Sequence, residues 1–248
     1  MIDQDEIVRE YNEKGVVRVR QFFSEEEVRA IRGELDRFIR EDLDAKSPQA
    51  STREADGKTV RNLWHLEEHC KFFQELADRP EIRNPIAQLV NGDPVLIAVE
   101  TFNKPARVGS GVPYHQDNAY FCLDPPDALT LWVAIDQVTV ENGAVYFIEG
   151  THKDGVLPTR KSGVAGNSIG MAEAPATPKE QQFCGTLNPG DATIHHCQTI
   201  HHSDPNKTDN SRLGLLFVFR GAHAKPVDRL LSTYNEAVAS TPPTQGRN

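Results

Sequence analysis

Pro189-Gly190-Asp191-Ala192-Thr193-Ile194-His195-His196-Cys197-Gln198-Thr199-Ile200-His201-His202-Ser203 turns, runs as a strand, breaks, and resumes on a pair of histidines. The Pro-Gly-Asp start is turn chemistry, and Ala192–His196 reads as the strand that follows it. Working outward, Val95–Phe102, Leu129–Asp136, Ala144–Ile148, Phe183–Leu187 and Leu213–Arg220 share the same short, apolar, turn-bounded character. Glu141-Asn142-Gly143 is a second clear turn. The sequence before about residue 93 is different. Residues 3–14 predict a polar helix ending at Gly15, and Val16-Val17-Arg18-Val19 a short strand. Ser24-Glu25-Glu26-Glu27 is a capping box that opens a helix with an apolar stripe at Val28, Ile31, Leu35, Phe38 and Ile39. Further helices are expected over 66–78 and 81–91, broken at Pro80 and closed by Asn91-Gly92.

A helical first third followed by short strands predicts a mainly β fold with flanking α-helices, a β-sandwich or jelly roll with helices on one side. Residues 44–59 read as a mobile loop, and 153–179 as a patternless insertion of the kind that forms lids. No repeat or linker divides the chain. We therefore expect residues 1–248 to be one domain: a helical part to about 92, a β core over about 93–222, and a tail over about 223–248.

The 248 residues suffice for a sizeable core, and 38% apolar with 25% charged is ordinary globular composition. A net charge of −9 without a basic stripe argues against a nucleic-acid partner. No apolar run approaches a membrane span. The acidic start Met1-Ile2-Asp3-Gln4-Asp5-Glu6 lacks the features of a signal peptide. Cys70, Cys122, Cys184 and Cys197 are scattered, as expected of reduced thiols in a cytoplasmic protein. Oligomeric state leaves no mark in the sequence.

His115-Gln116-Asp117 supplies one imidazole and one carboxylate with side chains on the same side of an extended segment. A distant second histidine would complete a facial triad, the arrangement that holds Fe(II) on one face and leaves positions open. Spacing alone leaves His195, His196, His201 and His202 all eligible.

Three ordered phrases are more specific: Val112-Pro113-Tyr114-His115-Gln116-Asp117, Glu141 through His152, and Pro189-Gly190-Asp191 through Arg212. Together they resemble the phytanoyl-CoA dioxygenase family, Fe(II)- and 2-oxoglutarate-dependent oxygenases on a double-stranded β-helix of the cupin kind. The likeness spans nearly the whole chain. That family's order of ligand, small hydroxyl residue and arginine, counted back from Arg212, implies His201 as the third ligand and Ser203 as the hydroxyl residue. Arg212 would then hold the far carboxylate of 2-oxoglutarate through parallel charge-assisted bonds, with Ser203 assisting. The resemblance further implies Trp132 beside the cosubstrate and Arg61 where relatives place a lysine that reaches it. It makes Lys104 part of a family phrase and His152 a structural turn residue. Asn118, Tyr120 and Phe121 become candidates to face substrate.

The implied activity consumes O2 and 2-oxoglutarate, releases succinate and CO2, and hydroxylates an aliphatic C–H bond of a small-molecule substrate. Asp117 argues for hydroxylation, because related halogenases lack this carboxylate. Competing expectations are a cupin-like isomerase or oxygenase that does not use 2-oxoglutarate, and a silent metal-binding module. Arg107, Arg160 and Lys161 are placed where they could flank the opening and favour an anionic substrate group.

Overall fold

The computed structural model describes residues 4–54, 56–164 and 166–240. The expected features at Met1–Asp3 and over 241–248 lie outside the described residues. In chain order the helices are α1 (Gln4–Lys14), α2 (Glu25–Arg37), α3 (Leu66–His69), α4 (Lys71–Ala77), α5 (Pro80–Leu89), α6 (Asn118–Phe121) and α7 (Asp228–Ala239). The first strands are β1 (Val16–Val19), β2 (Ser51–Arg53), β3 (Val60–Leu63), β4 (Pro94–Lys104), β5 (Val112–His115), β6 (Leu123–Asp124), β7 (Ala128–Ala134) and β8 (Val145–Phe147). They are followed by β9 (Thr159–Val164), β10 (Asn167–Met171), β11 (Phe183–Gly185), β12 (Ala192–His196), β13 (His201–Ser203), β14 (Arg212–Gly221) and β15 (Lys225–Pro226).

The expected double-stranded β-helix, or jelly roll, is not what these strands build. They form separate open sheets in a mixed α and β architecture, and no sheet closes into a barrel among the described residues. The largest has seven strands in the order β1-β12-β7-β14-β4-β3-β2, and a second has four in the order β11-β8-β13-β5. Two-stranded pairs β10-β9 and β15-β6 complete the set. The chain leaves the large sheet after β12 through a tight turn, in which Thr199 N donates to His196 O and His196 N is taken by Gly15 O. The first bond closes the turn and the second extends the pairing of β12 with β1, so β13 starts a separate ladder with β5 and β8.

The large sheet has two unlike faces because strand side chains alternate. Leu129, Leu131 and Val133 of β7 join Leu215, Phe217 and Phe219 of β14 in one apolar core. That core is completed by Ile31 and Leu35 of α2, Phe73 and Leu76 of α4, and Ile82 and Ile86 of α5. Thr130 and Trp132 of β7, and Leu216 and Val218 of β14, point the other way and line a cavity. His115 and His201 of the four-stranded sheet line it from the opposite side. The cavity therefore lies between the two sheets.

Local chemistry explains most element boundaries. Ser24 Oγ accepts from Glu27 N at 3.2 Å while Glu27 Oε2 accepts from Ser24 N at 2.8 Å, the reciprocal cap expected for α2. The helix expected over 66–78 is split, because Cys70 is extended and its thiol donates to Glu34 at 3.1 Å. Proline opens α5, where a missing N–H costs nothing, and Asn91 closes it at φ +53°. Residues 44–59 are not one loop. They contain helical turns at Leu43–Ala45 and Pro48–Ala50, then β2, and an Asp56 carboxylate that takes Lys58 N and Thr59 N at 2.8 Å each. The insertion over 153–179 is likewise ordered around the β9–β10 hairpin, which packs on α7 in what the sequence presented as a tail.

The Asn188–Asp191 turn is pinned at both ends. Gly190 sits at φ +87°, and a Cβ there would run into the carbonyl oxygen of Phe23. Gly190→Ala should cost about 1–3 kcal/mol from the backbone conformation alone. A thermal melt should show Tm lowered by roughly 5 °C.

Candidate metal and cosubstrate site

His115 ends β5, and its antiparallel partner across the ladder is His201 of β13. Directly opposed residues bring their Cβ atoms to about 5 Å, and here the imidazole centroids are 4.1 Å apart. His115 Nδ1 lies 2.9 Å from Pro113 O and His201 Nδ1 lies 3.0 Å from Thr199 O. A carbonyl only accepts, so each Nδ1 carries the proton and each Nε2 presents a lone pair. Burial, the largest influence on both rings, pushes their basicity down, which keeps them neutral and fit to ligate.

Asp117 arrives differently from the expectation of an extended H-x-D. The strand stops at His115, and Asp117 (φ −60°, ψ −35°) begins α6. Its Oδ1 still faces both imidazoles, 3.7 Å from His115 Nε2 and 3.6 Å from His201 Nε2. Its Oδ2 is held from the large sheet, accepting from Thr130 Oγ1 at 2.7 Å and meeting His195 Nε2 at 3.2 Å. Burial alone would raise this carboxyl. The neighbouring His201 ring, the bond from His195 and the His115 ring outweigh it, leaving Asp117 below the usual carboxylate range. The three donor atoms lie within 4.8 Å of one another. Two neutral imidazole nitrogens and one carboxylate oxygen on a single face suit Fe(II).

His202 is excluded by strand alternation. It points to the other face of β13, with its ring 4.0 Å from that of Tyr114 and 5.4 Å from that of Tyr146, and it bonds Gln182 Oε1 at 3.1 Å. His196 stands beside His152, 5.3 Å between rings, away from the cavity. Gln116, between the ligands, donates to Gly155 O at 2.8 Å and Gln198 O at 2.7 Å and accepts from Leu157 N at 2.8 Å. It ties the ligand segment to both neighbouring loops.

Arg212, at the start of β14, is only 2% exposed. Its Nη2 donates to Gly143 O at 2.8 Å and its Nη1 to Phe102 O at 3.4 Å, and Nε has no partner among the described residues. No carboxylate pairs with it among the described residues. Trp132 lies 5.1 Å from its guanidinium carbon, a cation–π contact. Gly214 makes room for that indole, since a Cβ at Gly214 would overlap the Trp132 ring. A buried cation with an unsatisfied donor in the wall of a cavity is suited to receive an anion. That is the fit 2-oxoglutarate requires, and Ser203 lines the same cavity on the His201 side of β13.

The cavity thus gathers His115, Asp117, His201, Ser203, Trp132 and Arg212, within about 230 Å³. Arg61 is not in its wall. It is buried on β3 beside the charge of Glu54. Lys104 is buried too, donating to Ser110 O at 2.7 Å and Asp204 O at 2.8 Å, and burial with Arg212 nearby pushes it down to about 6. It staples two loops and does not line the cavity. Asn118 is structural, bonded to the backbone of Leu123 at 3.0 and 2.9 Å, whereas Tyr120 and Phe121 do line the cavity. Arg107 pairs with Asp209, and neither it nor Arg160 and Lys161 on β9 reaches the cavity. Sequence reasoning passed over Thr130 and considered His195 only as a possible ligand; the two oppose each other across β7 and β12. Only that register reveals them as the pair that steadies Asp117.

Residues 11–214 match the phytanoyl-CoA dioxygenase (PhyH) family. The chain belongs to this family. Among curated relatives, a probable alpha-ketoglutarate-dependent hypophosphite dioxygenase of Stutzerimonas stutzeri is 27% identical over 228 residues, 88% of this chain and 79% of its own. Two solved structures share the fold. The epimerase SnoN, in complex with Fe3+, alpha ketoglutarate and nogalamycin RO, matches at TM-score 0.69 and 24% identity, over 92% of this chain and 88% of that one. EvdO2 of Micromonospora carbonacea var. aurantiaca, complexed with 2-oxoglutarate, matches at TM-score 0.69 and 24% identity, over 92% and 94%. This PhyH-family protein is an Fe(II)- and 2-oxoglutarate-dependent dioxygenase acting on a small-molecule substrate. No helix among the described residues is long and apolar enough to cross a membrane.

The geometry separates the histidines sharply. His201→Ala should abolish Fe(II) binding, and His202→Ala should leave it nearly intact. His195→Ala, which frees Asp117 on one side, should weaken it about 10–100-fold. Anaerobic equilibrium binding of Fe(II) to the three variants checks the order, and loss in His202→Ala equal to that in His201→Ala contradicts it.

Proposed function

We propose that this protein hydroxylates an aliphatic C–H bond of its substrate, with His115, Asp117 and His201 as the iron ligands and Arg212 as the anchor of 2-oxoglutarate. The observation that carries this reading is the coincidence, in one cavity, of a His/Asp/His donor triangle and a buried arginine with an unfilled donor. When bound, iron and 2-oxoglutarate use O2 to oxidise the substrate, releasing succinate and CO2.

The protein's own contribution is positional. Pro113 O and Thr199 O orient the two imidazoles, and Thr130 and His195 hold Asp117 so that one oxygen faces the metal position. Arg212 receives the distal carboxylate through its fork of donors, Ser203 lies within the same wall, and Trp132 covers the guanidinium and keeps water from it. Arg61 acts behind the wall, through its charge on Arg212, without touching the cosubstrate. Tyr120 and Phe121 shape the substrate side. This reading takes residues 1–248 as a single domain at work in the cytoplasm.

Anaerobic addition of Fe(II) and then 2-oxoglutarate should produce the visible metal-to-ligand charge-transfer band of the chelated cosubstrate. Arg212→Ala should raise the 2-oxoglutarate concentration needed for half of that band by at least about 30-fold, roughly 2 kcal/mol, with Fe(II) affinity little changed. Iron binding without the band in the unmodified protein refutes the reading. Gly214→Ala tests the indole separately: with Trp132 displaced from Arg212, the 2-oxoglutarate requirement should rise about 3- to 10-fold.

A further inference from the structure

The substrate side of the cavity carries two hydrogen-bond acceptors that the protein leaves unused. Glu100 of β4 lines the cavity, and its carboxyl has no hydrogen bond or ion pair among the described residues. It lies opposite Leu216, which lies opposite Trp132, so it shares the inward face that holds the cosubstrate machinery. Asn167, at the tip of the β9–β10 hairpin, is the second. It is 5% exposed, lines the same cavity, and its Oδ1 has no partner.

The orientation of Asn167 is imposed by its surroundings. Tyr120 Oη donates to Ile169 O at 2.5 Å, so towards the Asn167 side chain it can only accept. The amide nitrogen therefore faces Tyr120, and the amide oxygen stays buried beside the cavity without a donor among the described residues. Hairpin and strand also meet. Gly166 lies against the Asn62 side chain, and Asn62 is the cross-strand partner of Phe102, two residues along β4 from Glu100.

Charge fixes what these acceptors are for. In the loaded site, Fe(II) and Arg212 bring three positive charges, and Asp117 with the dianion of 2-oxoglutarate brings three negative ones. Glu100 is the remaining ionisable carboxyl in the wall. Burial, aided by the charge of Asp117 and opposed by His65, pushes it up to about 8, so without a cation beside it the group tends to keep its proton. An arriving ammonium would let that proton leave and would close the site with no net charge. An arriving anion would leave the site with one negative charge in excess and would face the lone pairs of the Asn167 amide oxygen. The loop cations Arg107, Arg160 and Lys161 do not reach the cavity. Around the acceptors the wall is apolar and aromatic, with Trp64, Phe121 and Val218.

Building on the dioxygenase reading, we infer that the cavity selects a substrate with an apolar body and a protonated amine, the amine held by the Glu100 carboxylate and the Asn167 amide oxygen. Glu100 and Asn167 are thus specificity residues for a cationic substrate.

The test uses the full chain loaded anaerobically with Fe(II) and 2-oxoglutarate, and three probes of one shape: cyclohexylamine, cyclohexanol and cyclohexanecarboxylate. Each is titrated against the perturbation of the charge-transfer band. The amine should bind at least about tenfold more tightly than either competitor. Glu100→Gln should remove most of that preference, Glu100→Lys should turn it towards the carboxylate, and Asn167→Leu should weaken the amine several-fold. All three variants should form the band at unchanged 2-oxoglutarate concentration, which shows that they are folded and loaded. The inference is overturned if the amine fails to bind or binds no better than the alcohol or carboxylate. It is also overturned if Glu100→Gln keeps the amine preference. A missing band in the unmodified protein would instead strike the dioxygenase reading itself.

Discussion

The antiparallel register of β5 on β13 is the constraint on which the site rests. It sets His115 opposite His201 and, because side chains alternate, turns Tyr114 and His202 to the other face together. A shift of one residue would put His202 opposite His115 and carry His201 away from Asp117. The carbonyls that orient the two imidazoles belong to residues two positions before each histidine, so the same backbone that sets the register also sets the tautomers. Asp117 is then secured from the other sheet by Thr130 and His195. The metal position is therefore a joint between two sheets that share no strand pairing.

The large sheet serves the site by having two unlike faces. One face is buried under α2, α4 and α5 in a continuous apolar core, which stabilises the scaffold independently of any ligand. The other face carries the polar and aromatic groups of the cavity and bears the costs of function. Arg212 is buried with an unfilled donor, and Gly214 has given up its side chain so that Trp132 can cover that arginine. A cation held in this way is destabilising until an anion arrives, so cosubstrate binding and local order are linked.

Opposite the cosubstrate, the balance of polar groups is reversed. The proposed anchor for 2-oxoglutarate, Arg212, has a donor without an acceptor among the described residues, whereas the Asn167 amide oxygen there lacks a donor and Glu100 brings a carboxyl to the same wall. The β9–β10 hairpin supplies one of them and is tied down by α7 and by Tyr120. A segment whose sequence shows little periodicity thus becomes part of the substrate wall.

Much of the site was legible because it is written in short local patterns. His115-Gln116-Asp117 is contiguous, whereas the order His201, Ser203, Arg212 was implied by the family resemblance and not by spacing alone. The capping box, the α5 boundaries and the strands of the β core depend on neighbouring residues and were equally readable. How the sheets associate was not: an alternating strand specifies a buried face, but not whether the sheet ends open or closes, and here the strands remain open sheets. The roles of Thr130, His195, Glu100 and Asn167 were invisible for a related reason. Each is an ordinary residue for its element and gains its role from a partner distant in sequence. Residue type and local spacing determined which chemistry this protein carries. Only the tertiary structure decided which groups share the cavity, because cross-strand register and sheet packing are set by contacts between segments that sequence order does not bring together.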